Sequence, residues 1–436
     1  NSSHGTPETR VEWMKLVRSV RNEVGRHVAL LVDLQGPRIR VGTLSQPRTL
    51  EPGSEIVFAP EEIATAAEIP TTYAALADDA EPGSRILLDD GLLAVEVTRV
   101  QGRRVHAVVR HGGLLRSNKG INLPGVNVSA PAVTEKDRED LALAVGQGAD
   151  YVAVSFVRRA EDISAVRALV PPTVRLVAKI EKAAALADLD RIIEAADGLM
   201  VARGDLGVEL PFEQVPLAQK RIIRQANRHG RAVITATQML ESMVEHPRPT
   251  RAEASDVANA ILDGTDAVML SAETAIGAYP ELAVQAMARI IHEIERATLE
   301  EPGSRRRRTD RPGGGPASTE DAIALATVAA AEMLALPLIL CFTKSGFTAR
   351  KIAALRPGVP ILGLSTEAAT CRHLVLVWGV IPELAMRVPN YEAMLAETRE
   401  MLLAKGYART GDRIVVTAGV PFEVPGTTNL LKVETV

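Results

Sequence analysis

Six short aliphatic runs, each closing on a polar or small residue and each followed by a stretch of helical composition, constrain this chain more than any other feature. They are VALLVDL from Val28, YVAVSFV from Tyr151, VRLVAKI from Val174, GLMVARG from Gly198, AVITATQ from Ala232 and AVMLSAE from Ala267. Strands buried on both faces are written as near-continuous aliphatic runs, and strands alternating with helices build a parallel sheet or a βα barrel. The runs end at or just before Asp33, Ser155, Glu181, Asp205, Thr237 and Glu273. In a barrel those ends form the active-site face. Any one of them is better read as the place where a strand stops; six in equivalent positions favour function.

At 436 residues the chain exceeds what one hydrophobic core organises, so two or three domains are expected. Between Gly42 and Pro124 the aliphatic runs give way to short alternating segments broken by turn sequences such as Glu81-Pro82-Gly83 and Asp89-Asp90-Gly91. This pattern reads as a small β domain inserted after a barrel strand. Thr134, with Asp137 three residues on, then opens a helix as a capping box. The stretch 303–316 carries four arginines at 305–308 and a glycine-rich tail without apolar period, and reads as a solvated linker rather than a phosphate site. Beyond it, PLILCFT, VPILGLS and RIVVTAG are candidate strands of a second α/β unit. The expected division is a discontinuous barrel domain over 1–41 and 125–302, a β lid over 42–124, the linker over 303–316 and an α/β domain over 317–436.

The composition, 46% hydrophobic with only 3% aromatic, is that of a globular protein packed on aliphatic side chains. A net charge of −4 does not suit binding of nucleic acid through overall charge, although a local positive pocket for a phosphorylated small molecule remains open. Cys341 and Cys371 are too few for a disulfide framework and lack metal-ligand spacing. There is no apolar run of about 18 residues and no leader pattern at the start. A cytoplasmic protein without membrane or nucleic-acid partners is expected.

Lys179 and Glu181 in VAKIEK are two apart on one strand and therefore face the same side, here the barrel mouth. A lysine there can neutralise a phosphoryl group in flight, and a carboxylate beside it can hold the metal that shares that charge. Alone, the pair would be an ordinary ion pair. Asp205, between Gly204 and Gly207, is expected in a turn whose exposed N–H groups admit an anionic substrate, with the aspartate as a second hard ligand for magnesium. Thr237 can hydrogen-bond a substrate carboxylate or relay a proton, although threonine also caps helices. Ser271 and Glu273 are weaker candidates of the same kind, with Glu273 read as holding neighbouring side chains in place. In TKSGFTA, at 343–349, hydroxyls and amides can cradle a phosphate or form no more than a Ser/Gly turn.

The strings DLQGPRIRVG, KGINLPG, TEKDRED, SFVR, AKIEK, DGLMVARGDLGVELP, ATQMLESM, RPTRAEASDVANAILDGTDAVMLSAETAIGAYP and GTTNLLKVETV follow one another along essentially the whole chain, which in this order resembles the pyruvate kinases. The resemblance implies a TIM (β/α)8-type barrel lacking its first strands, with an inserted small β-barrel lid domain and a C-terminal α/β domain. It implies phosphoryl transfer from phosphoenolpyruvate to ADP, giving pyruvate and ATP, with Mg2+ or Mn2+. Lys179 would stabilise the phosphoryl and enolate charge, Glu181 and Asp205 would ligate the metal, and Gly204, Asp205 and Thr237 would contact substrate, Thr237 on the proton path. Arg40 resembles the phosphate-binding arginine and His4 the nucleotide-side histidine. Asp90 and Lys119 resemble residues that the closing lid brings toward the nucleotide phosphates, excluding water. Thr343, Lys344, Ser345, Gly346 and Thr348 resemble the loop for a phosphorylated allosteric effector, working with 419–429, where Glu423 makes a bisphosphate less attractive. A homotetramer is implied.

Two departures qualify this resemblance. The family carries two further strands, a helix and a substrate-binding arginine ahead of the segment that begins at Asn1, so the natural chain is expected to be longer. As given, the chain is expected to leave two barrel edges unpaired, a stability and aggregation liability, and the sequence does not tell whether it is active in this form. Potassium-requiring members have Thr-Lys at Leu34-Gln35, Glu at Arg38 and Thr at Val41, whereas this chain follows the potassium-independent pattern with arginine in place of lysine. Arg38 is thus expected to supply the charge that K+ otherwise brings, and K+ not to be required. Asn1, Ser3 and Asp33 still match the family's potassium ligands, which keeps a K+ site as the alternative. Two other functions compete: a magnesium-dependent lyase of the phosphoenolpyruvate/pyruvate barrel group, and a non-catalytic phosphometabolite-binding subunit. The lid and Lys179 argue against the first, and Lys179, Glu181 and Asp205 against the second.

Overall fold

The aliphatic runs pair with one another in sequence order. The computed structural model describes residues 1–300, 318–387, 391–420 and 428–436; the linker expected over 303–316 and Glu423 lie outside the described residues. Strand β1 (Leu31–Asp33) is followed by eight strands of a separate β unit: β2 (Arg48–Leu50), β3 (Glu55–Pro60), β4 (Ile69–Thr71), β5 (Arg85–Leu88), β6 (Leu93–Gln101), β7 (Arg104–His111), β8 (Gly113–Leu115) and β9 (Ile121–Asn122). The first sheet then resumes with β10 (Tyr151–Val154), β11 (Arg175–Ile180), β12 (Gly198–Ala202), β13 (Ala232–Ala236) and β14 (Ala267–Val268). Its order is β1-β10-β11-β12-β13-β14, parallel throughout, with β1 and β14 at its two edges.

Side-chain parity assigns the two faces of this sheet. Tyr151, Ala153, Val177, Met200, Ile234 and Ala236 form one buried cluster, while the residues between them, such as Val152, Leu176, Leu199 and Val233, pack against helices in another. Those helices include Glu135–Gly146, Ala160–Arg167, Leu189–Ala195 and Val215–Arg228. Burial on both faces is why the strands lack polar alternation. The helix before β10 starts with the expected box: Thr134 Oγ1 accepts from the Asp137 N–H and Asp137 Oδ2 accepts from the Thr134 N–H.

The β unit over 48–122 contains a six-stranded sheet, order β4-β3-β7-β6-β5-β9, around its own core of Phe58, Ile86, Val95, Val97 and Leu115. Its turns fall where the sequence places them, with Gly83 at φ 87°, Asp89 at 52°, Asp90 at 54° and Gly91 at 89°. Glycine reaches this left-handed region without steric cost and Asp tolerates it. The C-terminal unit adds β15 (Ile339–Phe342), β16 (Ile361–Ser365), β17 (Val380–Leu384), β18 (Arg413–Ala418) and β19 (Leu430–Thr435), in the order β17-β16-β15-β18-β19 with only β19 antiparallel. It closes the end of the first sheet opposite the strand C-termini. Leu376 packs into the interior cluster, Tyr151 Oη donates to the His373 carbonyl at 2.6 Å, and Arg372 and Arg356 pair with Asp150 and Asp266 at 2.6 and 2.9 Å. Both cysteines are buried. Among the described residues no helix is long and apolar enough to cross a membrane.

Candidate active site

Consecutive C-terminal strand ends meet at Lys179. Its parity on β11 is that of Val177, which faces the interior, so the ammonium rises at the mouth. Lys179 Nζ lies 2.8 Å from Ser155 Oγ just past β10, 2.9 Å from Glu181 Oε1 just past β11, and 3.2 Å from Asp33 Oδ1 at the end of β1. Ser155 is fixed in turn by donating to the Leu34 carbonyl at 2.8 Å, and Glu181 Oε2 accepts the Phe156 N–H at 2.6 Å. Lys179 is 12% and Glu181 1% exposed, so this is a dry pair rather than a surface one.

Charge explains the electrostatics. Burial opposes protonation of Lys179, but Glu181 and Asp33 outweigh it and hold its pKa above the ordinary lysine range. The Glu181 carboxyl is also pushed up, by burial first and by Asp205, against the pull of Lys179. Acid and base thus both hold protons more tightly than usual: Glu181 and Asp33 face the ammonium, and Asp205 adds negative charge beside Glu181. A buried excess of negative charge is costly unless a cation balances it.

Among the described residues no three His, Cys, Asp or Glu side chains cluster as a complete metal cage. Glu181 and Asp205 nevertheless fit magnesium, which is commonly held by one or two carboxylates and completes its shell with water and substrate phosphate.

Asp205 is not in an open turn. Arg203–Glu209 is a short helix following β12 directly, with Asp205 in its first turn. The reason is Arg203, buried at 7% exposure, which donates to the Thr237 and Gln238 carbonyls at 2.6 and 3.0 Å and pairs with Asp256 at 2.5 Å. The Gly204 N–H donates to Thr237 Oγ1 at 2.8 Å. Thr237 adopts φ 65° and Gln238 φ 54°, an uncommon conformation for a β-branched residue and a mark of functional sites. The Thr237 hydroxyl also donates to the Ala236 carbonyl at 2.7 Å. Glu273 accepts from the Leu240 and Ser271 N–H groups, and so holds main chain rather than side chains.

A cleft of about 310 Å3 opens between this mouth and the β unit. Arg38, Arg40, Lys119, Arg158 and Lys182 line it together with Asp89, Asp90 and Asp205. Arg40 Nη1 donates to the Asn118 carbonyl at 2.8 Å, and its pKa is lowered by burial and by neighbouring Arg38. Lys119 pairs with Asp89 at 2.8 Å and Lys182 with Glu209 at 2.6 Å. Asn1 Nδ2 donates to Asp33 Oδ2 at 3.0 Å and Asn1 Oδ1 accepts the Ser3 N–H at 2.8 Å, so the three residues matched to potassium ligands are adjacent. Asp33 Oδ1 is buried without a hydrogen bond, although Lys179 lies within ion-pair reach. His4 is exposed and does not line the cleft. Arg158, Lys182 and Arg203 escape sequence reasoning; the only trace of them is that each adjoins or sits within a quoted motif.

In the C-terminal unit Gly346, at φ 78°, turns the chain into the helix Phe347–Ala353. The Lys344 carbonyl accepts from Thr370 Oγ1 at 2.8 Å and the Ser345 carbonyl from Arg350 Nη1 at 3.1 Å. Thr348 Oγ1 is 2.7 Å from Thr428 Oγ1, so its hydroxyl is tied to the last strand segment. The Thr343 N–H donates to the Leu364 carbonyl.

A parallel βα sheet with charged groups at its strand ends, a β lid above them and an α/β unit beneath defines a barrel enzyme acting on phosphorylated metabolites. Family comparison makes that class specific. Residues 1–284 match the pyruvate kinase barrel domain and residues 321–434 the pyruvate kinase alpha/beta domain. The chain is 44% identical over 444 residues to a pyruvate kinase of Geobacillus stearothermophilus, covering all of this chain and 75% of the relative. It is 41% identical to that of Clostridium acetobutylicum, covering all of this chain and 93% of the relative. A solved pyruvate kinase from Cryptosporidium parvum superposes with a TM-score of 0.92 at 31% identity, over 99% of this chain and 89% of that one. The chain belongs to the pyruvate kinase family.

Proposed function

We propose that this chain transfers the phosphoryl group of phosphoenolpyruvate to ADP, and that the lysine wedged between Asp33, Ser155 and Glu181 is the observation that carries the reading. In the reaction the enol C–O–P linkage breaks at phosphorus, a new P–O bond forms to the terminal phosphate of ADP, and the enolate takes a proton at its methylene carbon. Lys179, kept protonated by two carboxylates, is a fixed cation rather than a base. It stabilises charge on the phosphoryl oxygens and on the enolate oxygen without reorganising. Glu181 and Asp205 would hold Mg2+ or Mn2+, which supplies Lewis-acid stabilisation of the same oxygens.

Gly204 and Asp205 present the first helical turn after β12 to the substrate, and Thr237 stands beside it as the group assigned to the proton path. Arg40, Lys119 and His4 are assigned to the nucleotide side, with Asp90 at the lid turn. The lid over the cleft excludes water, which would otherwise take the phosphoryl group.

Arg38 has no carboxylate partner among the described residues and lines the cleft beside Arg40, which supports its role as a covalent substitute for K+. Asn1, Ser3 and Asp33 would hold K+ if it binds. The 343–348 loop is assigned to a phosphorylated effector, and homotetrameric assembly to the enzyme as a whole.

Pyruvate formation from phosphoenolpyruvate and ADP, coupled to lactate dehydrogenase and assayed with Mg2+ at constant ionic strength with and without K+, tests this. Mg2+-dependent turnover that is indifferent to K+ is expected. Absence of phosphoryl transfer from a folded enzyme would overturn the assignment, and strong K+ activation would overturn the role of Arg38.

A further inference from the structure

The chain returns from lid to barrel through 123–130, and there consecutive residues are gripped by opposite bodies. Arg158, just past β10 in the barrel, donates through Nη2 to the Ala130 carbonyl at 2.9 Å and through Nη1 to the Val128 carbonyl. Ser129, between them, is gripped from the lid. Its N–H donates to Asp79 Oδ2 at 2.9 Å, its hydroxyl lies 3.3 Å from the same oxygen, and Tyr73 Oη stands 2.9 Å from that hydroxyl while donating to Asp79.

Arg158 is itself anchored in the barrel: its N–H donates to Asp162 Oδ2 at 2.9 Å and its Nε is 3.6 Å from that oxygen. A planar guanidinium presents a rigid fork that can hold two carbonyls at once, which an ammonium on a flexible stem does not reproduce. The same side chain lines the cleft that contains Asp205. Its two carbonyl bonds therefore fix where the lid leaves the barrel, a few residues from the chemistry.

We propose that Arg158 from the barrel and the Asp79–Tyr73 pair from the lid form a joint around Ser129 that sets the lid angle over the Lys179–Glu181 site, with Arg158 as a positioning residue for phosphoryl transfer. This rests on the functional reading above, but its test does not. Spin labels at Arg103→Cys on an exposed lid turn and Asp190→Cys on a barrel helix report the lid–barrel distance by double electron–electron resonance, whether or not the enzyme turns over; both native cysteines are buried.

Arg158→Met is expected to broaden the distance distribution, and Tyr73→Phe, which loosens the other grip by removing the hydroxyl that holds Asp79 and Ser129 together, to broaden it likewise. Arg158→Lys should fall between. In the assay kcat/KM for ADP should drop on the order of tenfold in Arg158→Met, through kcat and KM together, with partial recovery in Arg158→Lys. An unchanged distribution in both Arg158→Met and Tyr73→Phe overturns the joint. So does a lowered melting temperature with distances and KM unchanged, because Arg158 would then only pack. An inactive parent enzyme leaves the distance measurement standing, so failure of the joint and failure of the functional reading are separable.

Discussion

Lys179 and Glu181 show how much chemistry two residues on one strand can encode, and how their coupling fixes the outcome of changing either. Their shared parity is visible in the sequence; Ser155 and Asp33 as the ammonium's other partners are not, because strand adjacency, not chain distance, brings them together. Replacing Lys179 by Met removes the cation that Asp33, Ser155 and Glu181 hold at the mouth, and kcat should fall by about 10^2 to 10^3, the range seen when one preorganised donor is lost. The same change leaves Glu181 buried without its counterion, so its raised pKa rises further. A carboxyl with a folded pKa above its unfolded value is best tolerated at low pH, and its stability contribution is lost as pH rises. The melting-temperature deficit of Lys179→Met relative to the parent should therefore widen from pH 5 to pH 8. Arg38→Glu is a second test at this scale. It reverses the charge beside Arg40, so turnover should fall at low K+ and recover as KCl is raised at constant ionic strength, whereas the parent should respond little.

Strands and the loops leaving them carry the site, and the sequence announces strands better than their ends. The run from Val28 pairs only over Leu31–Asp33, and Gly204-Asp205, composed like a turn, is helical because the buried Arg203 binds the carbonyls of the neighbouring strand end. That partner is 34 residues away along the chain, beyond any local pattern. β17 and β19 are hidden in the sequence for a similar reason: VIPEL includes a proline, and LLKVET lies on an edge with polar residues interspersed, so neither resembles a buried run. Gly36 offers the sharpest test of an element's exit. It sits at φ 68° between β1 and the lid, its N–H donating to Asp137 Oδ1 at 3.0 Å, and a Cβ there would lie 2.9 Å from Phe156 Cδ2 and 3.0 Å from Ser155 Cβ. Gly36→Ala therefore meets both a conformational and a steric penalty, together about 1–3 kcal/mol. It should also push on the Ser155–Lys179 contact. Urea unfolding should show the stability loss, and the coupled assay a lower kcat.

Across the whole molecule the C-terminal unit is fastened beneath the barrel by groups that titrate, and His373 is one whose protonation differs between the folded and the unfolded chain in mildly acidic solution. It packs edge-to-face on Tyr151 with ring centroids 5.4 Å apart, and its Nε2 is buried without a partner. Burial first, and then the charge of Arg175, push its pKa down to about 4, while Asp150 pulls the other way and Arg372 adds to the depression. An unfolded histidine titrates near 6.5. As pH falls from about 6.5 to about 4 the unfolded chain takes up a proton that the folded one refuses, so stability must fall through this window and be indifferent to His373 above it. The full effect is on the order of 3 kcal/mol, from about 1.4 kcal/mol per pH unit. Trp378 reports on the same junction: its ring lies 5.2 Å from the Arg356 guanidinium and its Nε1 donates to Glu295 at 2.6 Å. Urea midpoints followed by Trp378 fluorescence, with Trp13 replaced by Phe, should move to lower urea between pH 7 and pH 5. His373→Gln, which cannot titrate, should lose most of that movement relative to its own value at pH 7. An equal shift in both proteins would overturn the assignment to His373 and place the sensitivity instead in His27, whose pKa burial likewise lowers, against the pull of Glu383 in the C-terminal unit.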